Sequence, residues 1–354
     1  MRRVSGVALV VLGALFIGFG VLAKPYLYDR LAVVPLDQDS QSVSVGTGVD
    51  ALWPHGTGED ARIDKLTDVS VTSTRTIKGI PGVVEEAGVA DTEAFWQTTV
   101  RSQAEVDGRL VDLSYSDAGV SVDRRTGEAT NCCGDYASAG DLTDPDLVEP
   151  RTYEGNYFKF PFDTKQQDYA WWDGAVGRAD PIRFVEEDEV EGVRVYVFRQ
   201  SIGPETVDTL DIPAYLFDAT ASGSVEADAV YSNTRTLWVE PVTGVLVDGQ
   251  EEVSLTYEAD GYEPVARTVG TIGFSAETVV DNAETWGPRA GLLGFVDSWL
   301  TLLGLGLGLV LVAAGSVLVL SRGGRRPTRD DAEDLGPLPG EEPRERVATR
   351  SRRR

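Results

Sequence analysis

Histidine is almost missing from the chain: His55 is the single imidazole in 354 residues. Hydrolytic triads of the Ser-His-Asp kind need an imidazole to carry the nucleophile's proton. His55 lies in Leu-Trp-Pro-His-Gly-Thr-Gly, a turn-rich setting that reads as a loop. Cysteine is nearly as scarce, with two residues adjacent in sequence, Cys132 and Cys133. Neighbouring Cα atoms lie about 3.8 Å apart, below the usual disulfide range, so a bond between them is a small-ring clamp on a turn and cannot staple distant strands. Free thiols and an intermolecular bridge are the alternatives, and a zinc site lacks both a second cysteine pair and nearby histidines.

Nucleotide-binding loops and the zinc-protease His-Glu-x-x-His pattern are absent as well. Gly-Leu-Gly-Leu-Gly at residues 304–308 resembles a phosphate loop superficially but falls inside an apolar run. Glycoside hydrolysis needs two carboxylates, and with 57 Asp and Glu residues that requirement selects nothing. The expectation is a non-enzyme with no cofactor and no metal.

What is plentiful is acid. The formal charge is -25, and the acidic residues crowd the middle of the chain while arginines gather at the two ends. Such a field repels phosphate backbones, which excludes nucleic acid as a partner. Glu186, Glu187, Asp188 and Glu189 form the densest acidic run, yet they lack the spacing and turn glycine of a calcium loop, and they read as a solvated strand end.

Two apolar runs bracket the acidic middle. Residues 4–23 contain no charge and are as long as a bilayer core requires; residues 300–320 repeat the pattern. Arg2 and Arg3 before the first run, and Arg322, Arg325, Arg326 and Arg329 after the second, place both termini in the cytoplasm by the positive-inside bias. A cleaved signal peptide is the rival reading of the first run, given Val21, Leu22 and Ala23. The expected organisation is a cytoplasmic N-terminus at 1–3, a transmembrane helix at 4–23, an extracytoplasmic β-rich domain at 24–299, a transmembrane helix at 300–320 and a disordered cytoplasmic tail at 321–354. Gly304 with Gly308, and Ala14 with Gly18, are small pairs that would let the helices approach. Residues 275–299 suggest a juxtamembrane helix starting near Ser275, with Trp286 and Trp299 suited to a headgroup belt.

Between the spans the pattern is that of strands: Val69 to Ile77, Leu110 to Val122 and Val193 to Phe198 alternate with a period of two. The fold class is therefore mainly β, a large antiparallel ectodomain clasped by the two helices. Val122 to Asn131 and Val239 to Asp248 share a Thr-Gly placed as in a bulged hairpin turn. Residues 134–150 are rich in Gly, Asp, Ser and Pro and read as an exposed loop. Aromatics concentrate in residues 153–173, Tyr-Glu-Gly-Asn-Tyr-Phe-Lys-Phe-Pro-Phe-Asp-Thr-Lys-Gln-Gln-Asp-Tyr-Ala-Trp-Trp-Asp. In a strand Phe158, Phe160 and Phe162 share one face, either as core or as the lining of an apolar cavity. The adjacent Trp171 and Trp172 must then point to opposite sides. Phe158, Phe160, Phe162, Tyr169, Trp171 and Trp172 are the candidates for contact with a ligand or partner.

The segments Phe158 to Trp172, Val34 to Asp37, Asp123 to Gly134 and Glu240 to Val247 together resemble an actinobacterial family, formerly a domain of unknown function, whose members carry the label porin PorA. The resemblance spans nearly the whole chain up to the second apolar run. It implies a two-span membrane protein of the cell envelope with a β-rich domain, associates some members with glycolipid or mycolate export, and brings no catalytic residues. Outer-membrane barrels cross lipid on strands of about ten residues and carry no uniformly apolar helices of 20 residues. The leading expectation is accordingly an ectodomain that binds or transfers a lipid or glycolipid, or docks a lipid exporter, with the bilayer and export machinery as partners. A pore-forming porin is the second reading and a ligand-free envelope scaffold the third.

Overall fold

A computed structural model describes residues 2–56, 58–138 and 147–321; the sequence readings for the tail from 322 onward, and for 139–146 of the exposed loop, lie outside the described residues. The β-rich expectation holds. Twelve strands form one sheet: β1 Asp39–His55, β2 Arg62–Gly79, β3 Glu93–Val106, β4 Arg109–Asp123, β5 Tyr136–Ser138, β6 Val148–Pro150, β7 Tyr169–Asp173, β8 Arg178–Val190, β9 Val193–Pro213, β10 Ser224–Glu240, β11 Val245–Glu258 and β12 Val265–Phe274. Their spatial order is β6-β5-β4-β3-β2-β1-β12-β11-β10-β9-β8-β7. The first long strand thus pairs with the last, Ser44 opposite Phe274, and the chain is laid down outward from that seam in two runs of hairpins. Adjacent strands joined by short turns pair antiparallel without crossovers.

The two ends of the sheet meet. Val122 on β4 bridges to Ala129, Glu128 to Asn156, and Asn156 in parallel sense to Trp171 on β7. These bridges close the sheet at one end through a short irregular segment instead of a full strand. Alternation along the strands then sorts residues by face. On β10 Ala227, Ala229, Tyr231, Asn233, Leu237 and Val239 are buried, whereas Glu226 and Asp228 are exposed. Other strands turn Lys65, Arg101 and Glu252 outward. A lipid-facing barrel needs an outward apolar band about 25 Å tall, and these exposed charges interrupt such a band.

Three turns of one design shape the closing end. Asp123 Oδ1 accepts from the backbone N–H of Arg125 and Thr126, at 2.8 and 2.7 Å. Glu240 does the same for Val242 and Thr243, at 2.9 and 2.7 Å. Asp173 repeats it with Ala175 at 2.9 Å. In each the residue four positions on is a glycine with positive φ, Gly127, Gly244 and Gly177, donating its N–H back to the acid's carbonyl. The left-handed backbone there suits glycine, and the carboxylate takes up turn amides that have no ladder partner.

The apolar runs are helical. Helix α1 spans Arg2–Leu22. A one-turn helix α2, Pro81–Glu86, sits between β2 and β3. Helix α3, Ala276–Gly294, is capped by Ser275, whose Oγ accepts from Thr278 N–H at 3.2 Å. It continues through a π-helical stretch Phe295–Trp299 into α4, Leu300–Leu320. Both apolar helices are long enough to cross a membrane. The described residues divide into two compact units, one of residues 2–17 with 306–321 and one within residues 18–305.

Within the first unit α1 and α4 touch through glycine. A Cβ at Gly13 would lie 2.7 Å from the carbonyl of Gly308, and one at Gly315 2.6 Å from that of Gly6. In the second unit a Cβ at Gly20 would lie 3.1 Å from Gly304 Cα, close but less tight. The pairing expected of Gly18 is not found, because a Cβ there would meet nothing within 4 Å. Gly6, Gly13 and Gly20 instead recur every seven residues, the repeat that keeps one seam facing a partner helix.

Candidate functional site

The segment 153–168 is not the half-buried strand that its alternating phenylalanines suggest. Strand geometry begins only at Tyr169. Pro161 has no N–H to give a ladder, and three of the strap's amides go to the Glu240 turn: Phe160 N–H donates to Gly244 at 2.7 Å, Asp163 to Val242 at 3.0 Å and Thr164 to Pro241 at 2.7 Å. At its other end Asn156 Nδ2 donates to Thr126 in the Asp123 turn at 3.1 Å. The aromatic segment is a strap pulled between two turns.

Because the strap is irregular, its phenylalanines part company. Phe158 packs with Val34, Trp96, Tyr153 and Trp172. Phe160 is fully buried in a second cluster, stacked on Phe198 at 4.5 Å and Trp171 at 4.9 Å, with Tyr169 edge-on at 5.2 Å. Phe162 is partly buried against the first cluster. Neither tryptophan is a surface residue: Trp171 is 4% and Trp172 3% exposed. Tyr169 is half-buried and its hydroxyl accepts the Lys165 N–H at 2.8 Å.

A cavity of about 750 Å³ lies inside the closed sheet, with Phe158, Phe162, Trp171 and Trp172 in its wall and Phe160 behind it. At roughly 30 Å³ per molecule it has room for about 25 waters. Across from the strap the wall is polar: Ser40, Ser42, Ser44 and Ser73 from β1 and β2, Arg75 from β2, Arg235 from β10 and Glu251 from β11. Trp286 and Arg289 of α3 also line it.

Arg235 is the hub. Its Nε donates to Glu251 at 2.8 Å, Nη1 to Gln200 at 2.6 Å and Nη2 to Asp173 at 3.1 Å. Tyr231 adds a hydroxyl donation to Asp173 at 3.0 Å, and Gln200 reaches on to the carbonyl of Trp171 at 2.9 Å. Burial works to raise the Glu251 carboxyl, but the Arg235 charge and hydrogen bond win and hold it below the usual carboxylate range. Burial and the Asp173 charge both push the Tyr231 phenol up.

Lys159, the residue between the two parted phenylalanines, is 6% exposed and lines the cavity. Its Nζ donates to the Phe160 carbonyl and lies 3.9 Å from the centre of the Phe162 ring. Burial lowers its amine to about 7, the charge of Glu240 opposing the drop. Glu240 itself is committed to the turn amides. Sequence reading passed over Lys159, Arg75, Arg235 and Asp173; the signal available was the charge at 159 inside an aromatic run.

Cys132 and Cys133 form a bonded pair, with Cys132 exposed and Cys133 half-buried. Asn131 beside them holds both the N–H and the carbonyl of Tyr153, at 2.8 and 2.9 Å, and Asp135 accepts from Ser121 N–H at 2.8 Å. Burial pushes the Asp135 carboxyl up against those hydrogen bonds. Among the described residues no group of three His, Cys, Asp or Glu converges to hold a metal ion.

The model of the family described as Porin PorA matches residues 5–317. The chain belongs to that family. Curated relatives named Porin PorA are found in Corynebacterium amycolatum, 27% identical over 74% of this chain and 80% of the relative, and in Corynebacterium resistens, 24% identical over 73% and 78%. This corrects the leading functional expectation. An aromatic centre was read as a lipid or glycolipid site, and the family and its named members point to a porin. The physical reason is visible in the strap, whose Phe160 packs as core, and in the cavity wall, where serines, Arg75, Arg235 and Glu251 interrupt the apolar lining. Porin-named relatives also favour a non-enzyme, by name.

Proposed function

We propose that the protein forms a pore in the cell envelope, with the closed sheet as a water-exposed vestibule and the lumen as the beginning of the solute path. The observation that carries this reading is a polar patch in the mostly apolar lumen: serines, Arg75, Arg235 and Glu251 line a cavity that a purely structural core would fill with apolar side chains. Membership of a family described as Porin PorA supports it. The charged exterior of the sheet argues against strands crossing lipid, so in this proposal the membrane is crossed by α1 and α4. Both termini are then cytoplasmic, the sheet is extracytoplasmic, and a continuous conduit needs several copies whose helices line it.

Planar-bilayer recording of purified full-length protein tests the idea. Stepwise conductance that tracks the folded protein is the expected result, and inserted, folded protein with no conductance above the lipid background would sink it. Arg235→Glu, which leaves Asp173 facing a like charge, should change the conductance if the lumen lies on the path.

A further inference from the structure

We infer that the cavity inside the sheet is a binding site for a small anion, held by Arg75 and Lys159. The sign of the lumen is the first argument. The chain carries a net charge of -25, so a cavity formed without regard to charge would be acidic. The charged residues lining this one are Arg75, Lys159, Arg235 and Arg289 against Glu251.

Pairing is the second argument. Arg235 is saturated by Glu251, Asp173 and Gln200, and Glu251 takes a further bond from Asn233 at 3.1 Å. Those groups neutralise one another. Among the described residues Arg75 has no carboxylate at ion-pair distance, its charge acting on Glu251 only from further off; its guanidinium carbon lies 5.6 Å from the centre of the Tyr157 ring. Lys159 likewise has no carboxylate at ion-pair distance among them, and its amine has a carbonyl and a ring for company. A buried ammonium without a counter-ion costs several kcal/mol, and the cost falls when an anion enters from the cavity side.

The third argument is the surroundings. The Tyr157 ring beside Arg75 and the Phe162 ring beside Lys159 set an apolar face against each cation, and a charge-assisted hydrogen bond is stronger where water is partly displaced. The Ser40, Ser42, Ser44 and Ser73 hydroxyls lining the same cavity can donate to an anion's remaining lone pairs. The inference does not need the pore reading, since an anion site is equally consistent with a closed vestibule.

Iodide is the probe, because Trp96, Trp171 and Trp172 line the cavity and report its arrival by fluorescence quenching. The experiment uses full-length protein in detergent at constant ionic strength, with caesium as the cationic counterpart. The expected result is a saturable iodide component without a caesium equivalent, about tenfold weaker in Arg75→Gln or Lys159→Met, as for the loss of one charge-assisted contact. Near-UV circular dichroism identifies the variants that keep the wild-type fold, and half-buried Arg75 supplies one even if Lys159→Met does not. Iodide quenching that is unsaturable, matched by caesium or unchanged in the folded variants would overturn the assignment.

Discussion

Phe160 donates its backbone N–H to the carbonyl of Gly244 at 2.7 Å, and through that bond the aromatic strap is tied to a turn 84 positions further along the chain. The bond is short because Gly244 has no side chain. With φ at 73°, a Cβ there would collide with the carbonyl oxygen of Phe160 and lie 2.5 Å from that of Pro161. Gly244→Ala should therefore lose both the left-handed backbone, worth about 1–2 kcal/mol, and the strap's seat. Gly127→Ala is the matched control: its φ is similar at 71°, but the nearest atom is the flexible Lys159 Cγ at 3.2 Å. Denaturant unfolding should show Gly244→Ala as the more damaging of the two, and equal losses would mean that the strap does not depend on this contact.

Asp173 is 1% exposed and relies on Arg235 for charge balance. Arg235→Met should cost about 3–5 kcal/mol, the range for breaking a buried pair and leaving one charge behind. Asp173→Asn in the Met background should recover part of the loss, because the stranded charge is then gone. The Glu251 carboxyl, held below its ordinary value, contributes stability that is present above the unfolded-state pKa and is lost as pH falls through the lower folded value. Urea midpoints measured from pH 7 down to pH 3 should fall more steeply for wild type than for Glu251→Gln.

Lys159 works in the opposite direction. Its amine is lowered to about 7 by burial, so between that value and the ordinary lysine range the unfolded chain binds more protons than the folded one. Stability should rise with pH across this window, by up to about 1.4 kcal/mol per unit from this group. Lys159→Met removes the penalty. The variant should be more stable than wild type at pH 6 to 7, with the gap narrowing towards pH 10; a gap that is constant with pH would show that the amine is not charged and buried together.

Much of the molecule could be read from residue order. Thr-Gly after an acid marks a bulged turn wherever it occurs, because the carboxylate and the glycine's backbone freedom are local properties, and two of the three turns were found in this way. The third, Asp173 to Gly177, was missed for want of the threonine, although the acid and the glycine alone build it. The strap was misread for a different reason. Phe158, Phe160 and Phe162 have the period of a strand, but Pro161 and the capture of three strap amides by the Glu240 turn override it, and those partners are 80 residues away. The cavity's charges were illegible for the same reason: Arg75, Lys159 and Arg235 come from separate segments, and only the closure of the sheet brings them to one cavity.

The membrane helices give a test of the same kind of misreading. The sequence offers Gly18 in a small-residue pair with Ala14, whereas contact falls on Gly6, Gly13 and Gly20. Lipid tails are as apolar as leucine, so helix association in a bilayer rests on close packing, and it is lost when a bulky side chain separates the backbones. A Cβ at Gly13 would lie 2.7 Å from the Gly308 carbonyl and 2.8 Å from Val312, so Gly13→Leu must push the helices apart. Gly18→Leu adds the same apolar surface at a position with nothing within 4 Å and should leave them in place. Thermal unfolding in detergent micelles should show a lower midpoint for Gly13→Leu than for Gly18→Leu. The reverse order would mean that the helices meet along the Ala14 and Gly18 face and that the seven-residue glycine seam is incidental.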